Sequence, residues 1–153
     1  MAKRRQEKSR RYAGIPHSVM ASEDYKCLSG SALKILLELT RQYNGRNNGD
    51  LSATFKVAET LGIGSKSTLT RALRELQEKA LIVQTRHGQF INPGGVCSLY
   101  ALTWQPIDEC QGKLDIAATR QPPRAFGLEN KTPSTVFSSP ENKKCTHKPH
   151  NVH

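Results

Sequence analysis

The chain has 153 residues and a formal net charge of +10, with a pI near 9.7 and 24% charged residues. Its length suits one domain with tails, or two very small domains. No apolar run approaches the roughly 20 residues of a membrane span, and the basic N-terminus lacks the apolar segment of a secretory signal. A cytoplasmic protein that meets anionic polymers or surfaces is expected.

Residues 1–14, "MAKRRQEKSRRYAG", hold half of the excess charge, five of the ten net positive charges. They read as a flexible, disordered basic arm. Lys3, Arg4, Arg5, Lys8, Arg10 and Arg11 would there attract phosphate without reading sequence. A globular domain is expected over residues 15–106. "LSGSALKILLELTRQYN" carries a serine start signal and predicts a helix over 30–43, with Leu33, Leu36, Leu37, Thr40 and Tyr43 on its inner face. "GRNNGD" is a turn cluster. Leu51 then suits a short strand. Thr54 suits the N-cap of a helix over 55–61, with Phe55, Ala58 and Leu61 inward.

"GIGSKSTLTRALRELQEKALI", residues 62–82, admits two readings of glycine before a helix. A phosphate-binding loop needs glycine directly before its lysine, but Ser65 precedes Lys66. Four residues before Gly64, where the motif requires a second glycine, stands Thr60. The preceding segment also has helical rather than strand period. A tight turn fits better. Gly62 stops the second helix in the left-handed conformation, Ile63 plugs the space between helices, and Ser65 caps a third helix to about Lys79. Leu69, Ala72, Leu73 and Leu76 have the spacing of a buried stripe. Lys66, Ser67, Thr70, Arg71 and Arg74 occupy the outer face, and these are residue types that reach phosphates and base edges. Glu75, Gln77 and Glu78 follow, and phosphate would repel the two glutamates.

"ALIVQTRH" and "VCSLYALTW" read as two strands of a hairpin, with Tyr100, Leu102 and Trp104 alternating on one face. Arg86 and His87 lie where the first strand runs into the long tip. Helix, short strand, helix, tight turn, helix, hairpin is the order of a winged helix-turn-helix. The predicted class is therefore mainly α with a small β-hairpin, the tip being the wing. Residues 107–153 read as an extension, mostly disordered, with a Pro-, Ser- and Asn-rich tail that cannot bury enough apolar area to order itself.

Other chemistry finds little support. The tail places Cys145, His147, His150 and His153 close together, but neither a second cysteine at finger spacing nor a surrounding core is expected there, so no metal is assigned. Without a CxxC pair or an export signal, the four cysteines are expected as reduced thiols, with Cys27 and Cys97 near the core. There is no HExxH, no GxSxG and no paired-carboxylate motif. Asp50 and Glu59 read as loop and helix-surface charges, and His17 as a surface residue. No catalytic residue and no cofactor are expected.

"LSGSALKILLELTRQYNGRNNGDL", "GSKSTLTRALRELQEKALI" and "LYALTW" together resemble winged helix-turn-helix DNA-binding proteins of proteobacterial phages and mobile elements. The shared features are the leucine-rich first helix, the "RxYNGxNNG" turn and a "RALxELxEKGxI" recognition helix. The resemblance spans roughly residues 12–120 and extends, more distantly, to the N-terminal domains of phage replication-origin proteins. It implies DNA binding in replication initiation or transcriptional control. Ala80 departs from the pattern, which has glycine there.

The expected partner is double-stranded DNA. The third helix would enter the major groove, with Arg71 and Arg74 as chief contacts, Ser67 and Thr70 adding polar ones and Lys66 on the backbone. Arg86 and His87 would touch an adjacent backbone, and the arm would add diffuse attraction. A homodimer and a protein partner for the C-terminal tail are compatible with the sequence. The alternative is a winged-helix interaction module that binds an acidic protein.

Overall fold

The computed structural model describes residues 11–89 and 94–127. The basic residues Lys3, Arg4, Arg5, Lys8 and Arg10, and the tail with Cys145, His147, His150 and His153, lie outside the described residues.

Two single-turn helices, α1 (His17–Met20) and α2 (Glu23–Lys26), precede the first long one. Four residues are too few for a hydrophobic period, so pattern reading passes over them. A local signal was nonetheless present. Ser22 accepts from the Tyr25 N–H, and Glu23 and Asp24 fill the first turn of α2, where a helix dipole favours carboxylates.

α3 (Gly30–Gln42) starts at Ser29, whose hydroxyl accepts from the Ala32 N–H. Its buried face is Ala32, Ile35, Leu36, Leu39 and Thr40, while Leu37 is 44% exposed. Of the predicted face, Leu36 and Thr40 are buried and Tyr43 packs against the core, whereas Leu33 is half-buried and Leu37 turns out, so the inner face is rotated toward Ala32, Ile35 and Leu39. Leucines on both sides of the helix allow either choice locally, and packing along the last helix selects one.

The turn after α3 is held by Asn48, which is fully buried. Its Nδ2 donates to the carbonyls of Leu102, Gln105 and Pro106 at 2.9–3.0 Å, and its Oδ1 accepts from the Leu102 N–H at 2.7 Å. Gly49 has φ +129°, and a Cβ there would sit 2.8 Å from a Leu114 methyl, so glycine is required. Leu51 forms an antiparallel bridge with Tyr100, which meets the expectation of a short strand.

α4 (Phe55–Thr60) is capped by Thr54, and α5 (Lys66–Glu78) by Ser65. Between them Gly62 adopts φ +80° and Ile63 is 3% exposed, as the turn reading requires. Strand β1 (Ile82–Arg86) pairs antiparallel with β2 (Leu99–Leu102), with a bulge at Thr85. Thr85 is buried and donates to the Gly49 carbonyl at 2.6 Å, which anchors the bulge.

The core joins α3, α4, α5 and one face of the hairpin: Ile35, Leu36, Leu39, Ala58, Ile63, Leu69, Ala72, Leu76, Leu102 and Trp104 belong to one cluster. All of β2 is buried. Leu99 and Ala101, which lie outside that cluster, are covered as well, so both faces of this strand are shielded.

Residues 107–127 continue the packed structure beyond residue 106. Ile107 is 4% exposed, and the Asp115 N–H donates to the Thr85 carbonyl at 2.8 Å. Arg124 donates to the Lys79 carbonyl and to the Asp24 carboxylate, both at 2.8 Å, and lies 4.1 Å from the Phe126 ring, which meets Trp104 edge to face. This described part of the extension is therefore a strap held to the domain rather than a loose tail. Sequence periodicity misses it because its anchors are single residues spaced irregularly.

Among the described residues no helix is long and apolar enough to cross a membrane. The cysteines meet expectation in part, departing in the exposure of Cys97 and the bonding of Cys27. Cys97 is exposed and Cys110 half-buried, both as free thiols, whereas Cys27 is half-buried and disulfide-bonded. Cys97 lies just before the paired part of β2, beyond the reach of the core. Burial, with Asp50 and Asp108 nearby, pushes the Cys110 thiol up and keeps it protonated.

Candidate nucleic-acid interface

α5 begins where Ser65 leaves extended backbone and its hydroxyl accepts from the Thr68 N–H at 3.1 Å. Leu69, Ala72 and Leu76 are at most 7% exposed and fix the rotation of the helix about its axis. With that rotation set, Lys66, Ser67, Thr70, Arg71 and Arg74 are all exposed. The structure thus brings these five together on one outward face. Arg71 and Arg74 take part in none of the ion pairs among the described residues. The Lys66 ammonium lies 5.8 Å from the centre of the Phe55 ring, which joins the start of α5 to α4.

The C-terminal end of α5 is tied to other elements. Glu75, whose charge alone would oppose phosphate, turns away to α3. Its carboxylate accepts from the Ser29 N–H at 2.8 Å and from the Ser29 hydroxyl at 2.6 Å. A carboxylate at the N-terminus of α3 meets the positive end of that helix. One turn further on, the Arg124 guanidinium donates to the carbonyl of Lys79, the C-cap of α5. Lys34 donates to the Leu61 carbonyl at 3.0 Å and so holds the end of α4 against α3.

A groove of about 420 Å³ separates α5 from the base of the hairpin. Thr70, Arg74 and Gln77 line its helical wall, Cys97 and Ser98 its hairpin wall, and Tyr100 lies beneath. Burial pushes the Tyr100 phenol up, so it stays neutral. Gln77 was legible as a wall residue, since it stands three residues after Arg74 and seven after Thr70 on one helix. Cys97 and Ser98 were not, because their place depends on the register of the hairpin.

The hairpin residues are arranged differently from those of α5. Arg86 is half-buried, and its guanidinium donates from Nε at 3.1 Å and from Nη2 at 2.9 Å to the Cys97 carbonyl across the strand pair. His87 is exposed, and its backbone N–H donates to the Asp115 carboxylate at 2.8 Å. Arg11, the one arm cation within the described residues, is exposed. Among the described residues no group of histidine, cysteine and carboxylate side chains could hold a metal ion.

The chain matches no protein-family model, no curated protein and no solved structure.

Proposed function

We propose that this protein binds double-stranded DNA as a winged helix-turn-helix domain, in replication initiation or transcriptional regulation of a phage or mobile element. In this reading α4, the Gly62–Ser65 turn and α5 are the helix-turn-helix, the β1–β2 hairpin is the wing, and α5 lies in the major groove. One observation carries it. α5 is pinned on its inner side by Leu69, Ala72 and Leu76, and its outer side presents Lys66, Ser67, Thr70, Arg71 and Arg74 to solvent together. A rigid helix with a cationic outer face meets the geometric demand of groove recognition. The net charge of +10 and the sequence resemblance point the same way.

The test is a titration of the full chain with random-sequence duplex, followed by selection of bound sites from a random library. Binding at low salt is expected, with a log–log salt slope of about −4 to −5 if about five phosphates are neutralised. The library should return a preferred site, and a palindromic site would also report dimer symmetry. Arg71→Ala should cost about 1–3 kcal/mol and relax that preference, because it removes a base-edge contact. Absence of any shift at micromolar protein in low salt would overturn the reading and leave the acidic protein partner as the explanation of the basic face.

A further inference from the structure

We infer that Arg86 serves this interface as a positioning residue: its guanidinium clamps the two strands of the hairpin so that Cys97 and Ser98 stand as a fixed wall opposite α5. The inference rests on the DNA-binding reading and assigns Arg86 a part other than the phosphate contact that its charge suggests. Two nitrogens of one guanidinium converge on one acceptor, the Cys97 carbonyl, and Nη2 also lies 3.7 Å from the Cys97 sulfur.

The surroundings support a clamp rather than a free cation. Thr85 bulges out of the ladder, so the regular pairing breaks between Gln84 and Arg86. Side chains replace the missing backbone bonds at that break. Gln84 Nε2 donates to the Ser98 hydroxyl at 3.2 Å, and the Gly88 N–H donates to the same hydroxyl at 3.0 Å. Beyond it the Gln89–Val96 bridge resumes with two bonds of 2.9 Å. The Arg86–Cys97 contact spans the break between the two paired stretches. A planar fork with fixed donor directions suits that task; a lysine ammonium offers the same charge without the fork. Cys97 and Ser98 are also the residues that line the groove facing Thr70, Arg74 and Gln77. Loss of the clamp frees that wall, whereas the cations of α5 stay where they are.

The experiment compares Arg86→Lys and Arg86→Gln with the parent chain, using duplex affinity at several salt concentrations and amide hydrogen exchange. Both variants should lose affinity alike, by about tenfold, the lower end of what one hydrogen bond to a charged group contributes. The salt slope of both should equal the parent's, since no phosphate contact is lost. Exchange at the Gly88, Gln89 and Val96 amides should quicken in both, with α3 and α5 amides protected as before, which separates a moved hairpin from a weakened fold. The clamp is overturned if Arg86→Lys binds like the parent and Arg86→Gln shows a slope shallower by about 0.9, the signature of one lost phosphate contact. It is equally overturned if neither variant changes affinity or hairpin exchange. If the parent chain itself binds no duplex, the proposed function fails, and the exchange comparison alone decides whether Arg86 holds the hairpin.

Discussion

Ala80 carries backbone strain that a single atom explains. It follows the C-cap of α5 with φ +49°, a left-handed conformation that costs an L-residue about 1–2 kcal/mol through its Cβ. A glycine would take this conformation without the Cβ cost. Ala80→Gly should therefore raise stability by about 0.5–1 kcal/mol, the relief being partly offset by the greater freedom of glycine in the unfolded chain. Urea melts of the two proteins measure it. Asn48 lies at the opposite extreme, a buried side chain that uses both donors and its acceptor. Asn48→Leu should lower stability by about 2–4 kcal/mol, because the Leu102 N–H and three carbonyls lose a buried partner. Asn48 was legible in the sequence as a turn residue. Its bonds to residues 102–106 were not, since they depend on where the chain returns more than fifty residues later.

Among the elements, α3 is steadied at each end by a carboxylate. Glu75 bonds to Ser29 at its start. Near its end Glu38, 7% exposed, accepts from two nitrogens of Arg41 at 2.7 and 2.8 Å and from Gln42. The Arg41 hydrogen bonds hold the Glu38 carboxyl below its ordinary value against the opposing effect of burial. A carboxyl whose folded pKa is depressed adds stability that is complete above the unfolded carboxylate range and is lost as pH falls through the folded value. Unfolding free energy should thus decline on acidification below about pH 4.5, and Glu38→Gln should flatten that decline; urea melts from neutral to acid pH test this. For α5 the sequence carried most of what matters. The stripe of Leu69, Ala72 and Leu76 and the cap at Ser65 determine its limits and its outward residues. The hairpin was legible as two strands, yet the bulge at Thr85 and the partner of Arg86 were not. A one-residue shift in register changes every cross-strand neighbour, and periodicity does not specify it.

At the scale of the molecule, the strap of residues 107–127 links the end of α5 to the hairpin and to α2. Arg124 joins two distant parts, the Lys79 carbonyl and the Asp24 carboxylate, while it lies against the Phe126 ring of its own segment. A cation at the C-terminus of α5 also suits that helix's dipole. Ending the chain after residue 106 should lower stability by on the order of 3 kcal/mol, through loss of the Ile107 and Phe126 contacts. Emission from Trp104, the single tryptophan, should shift to longer wavelength as Phe126 no longer covers it. An unchanged melt and spectrum would show that the strap carries no stability.

What the sequence by itself determined were the features that act over three or four residues: the caps at Ser29, Thr54 and Ser65, the left-handed stop at Gly62 and the apolar stripe of α5. Tertiary structure alone decided which side of α3 faces inward, that Glu75 serves Ser29, that Arg86 grips Cys97 and that the strap returns to Asp24. Each of these choices pairs groups 11 to 100 positions apart, or weighs two apolar faces of similar merit. A helix start is settled by hydrogen bonds within one turn of the chain. The partner of a distant side chain is settled only when the core has packed and brought the two segments together.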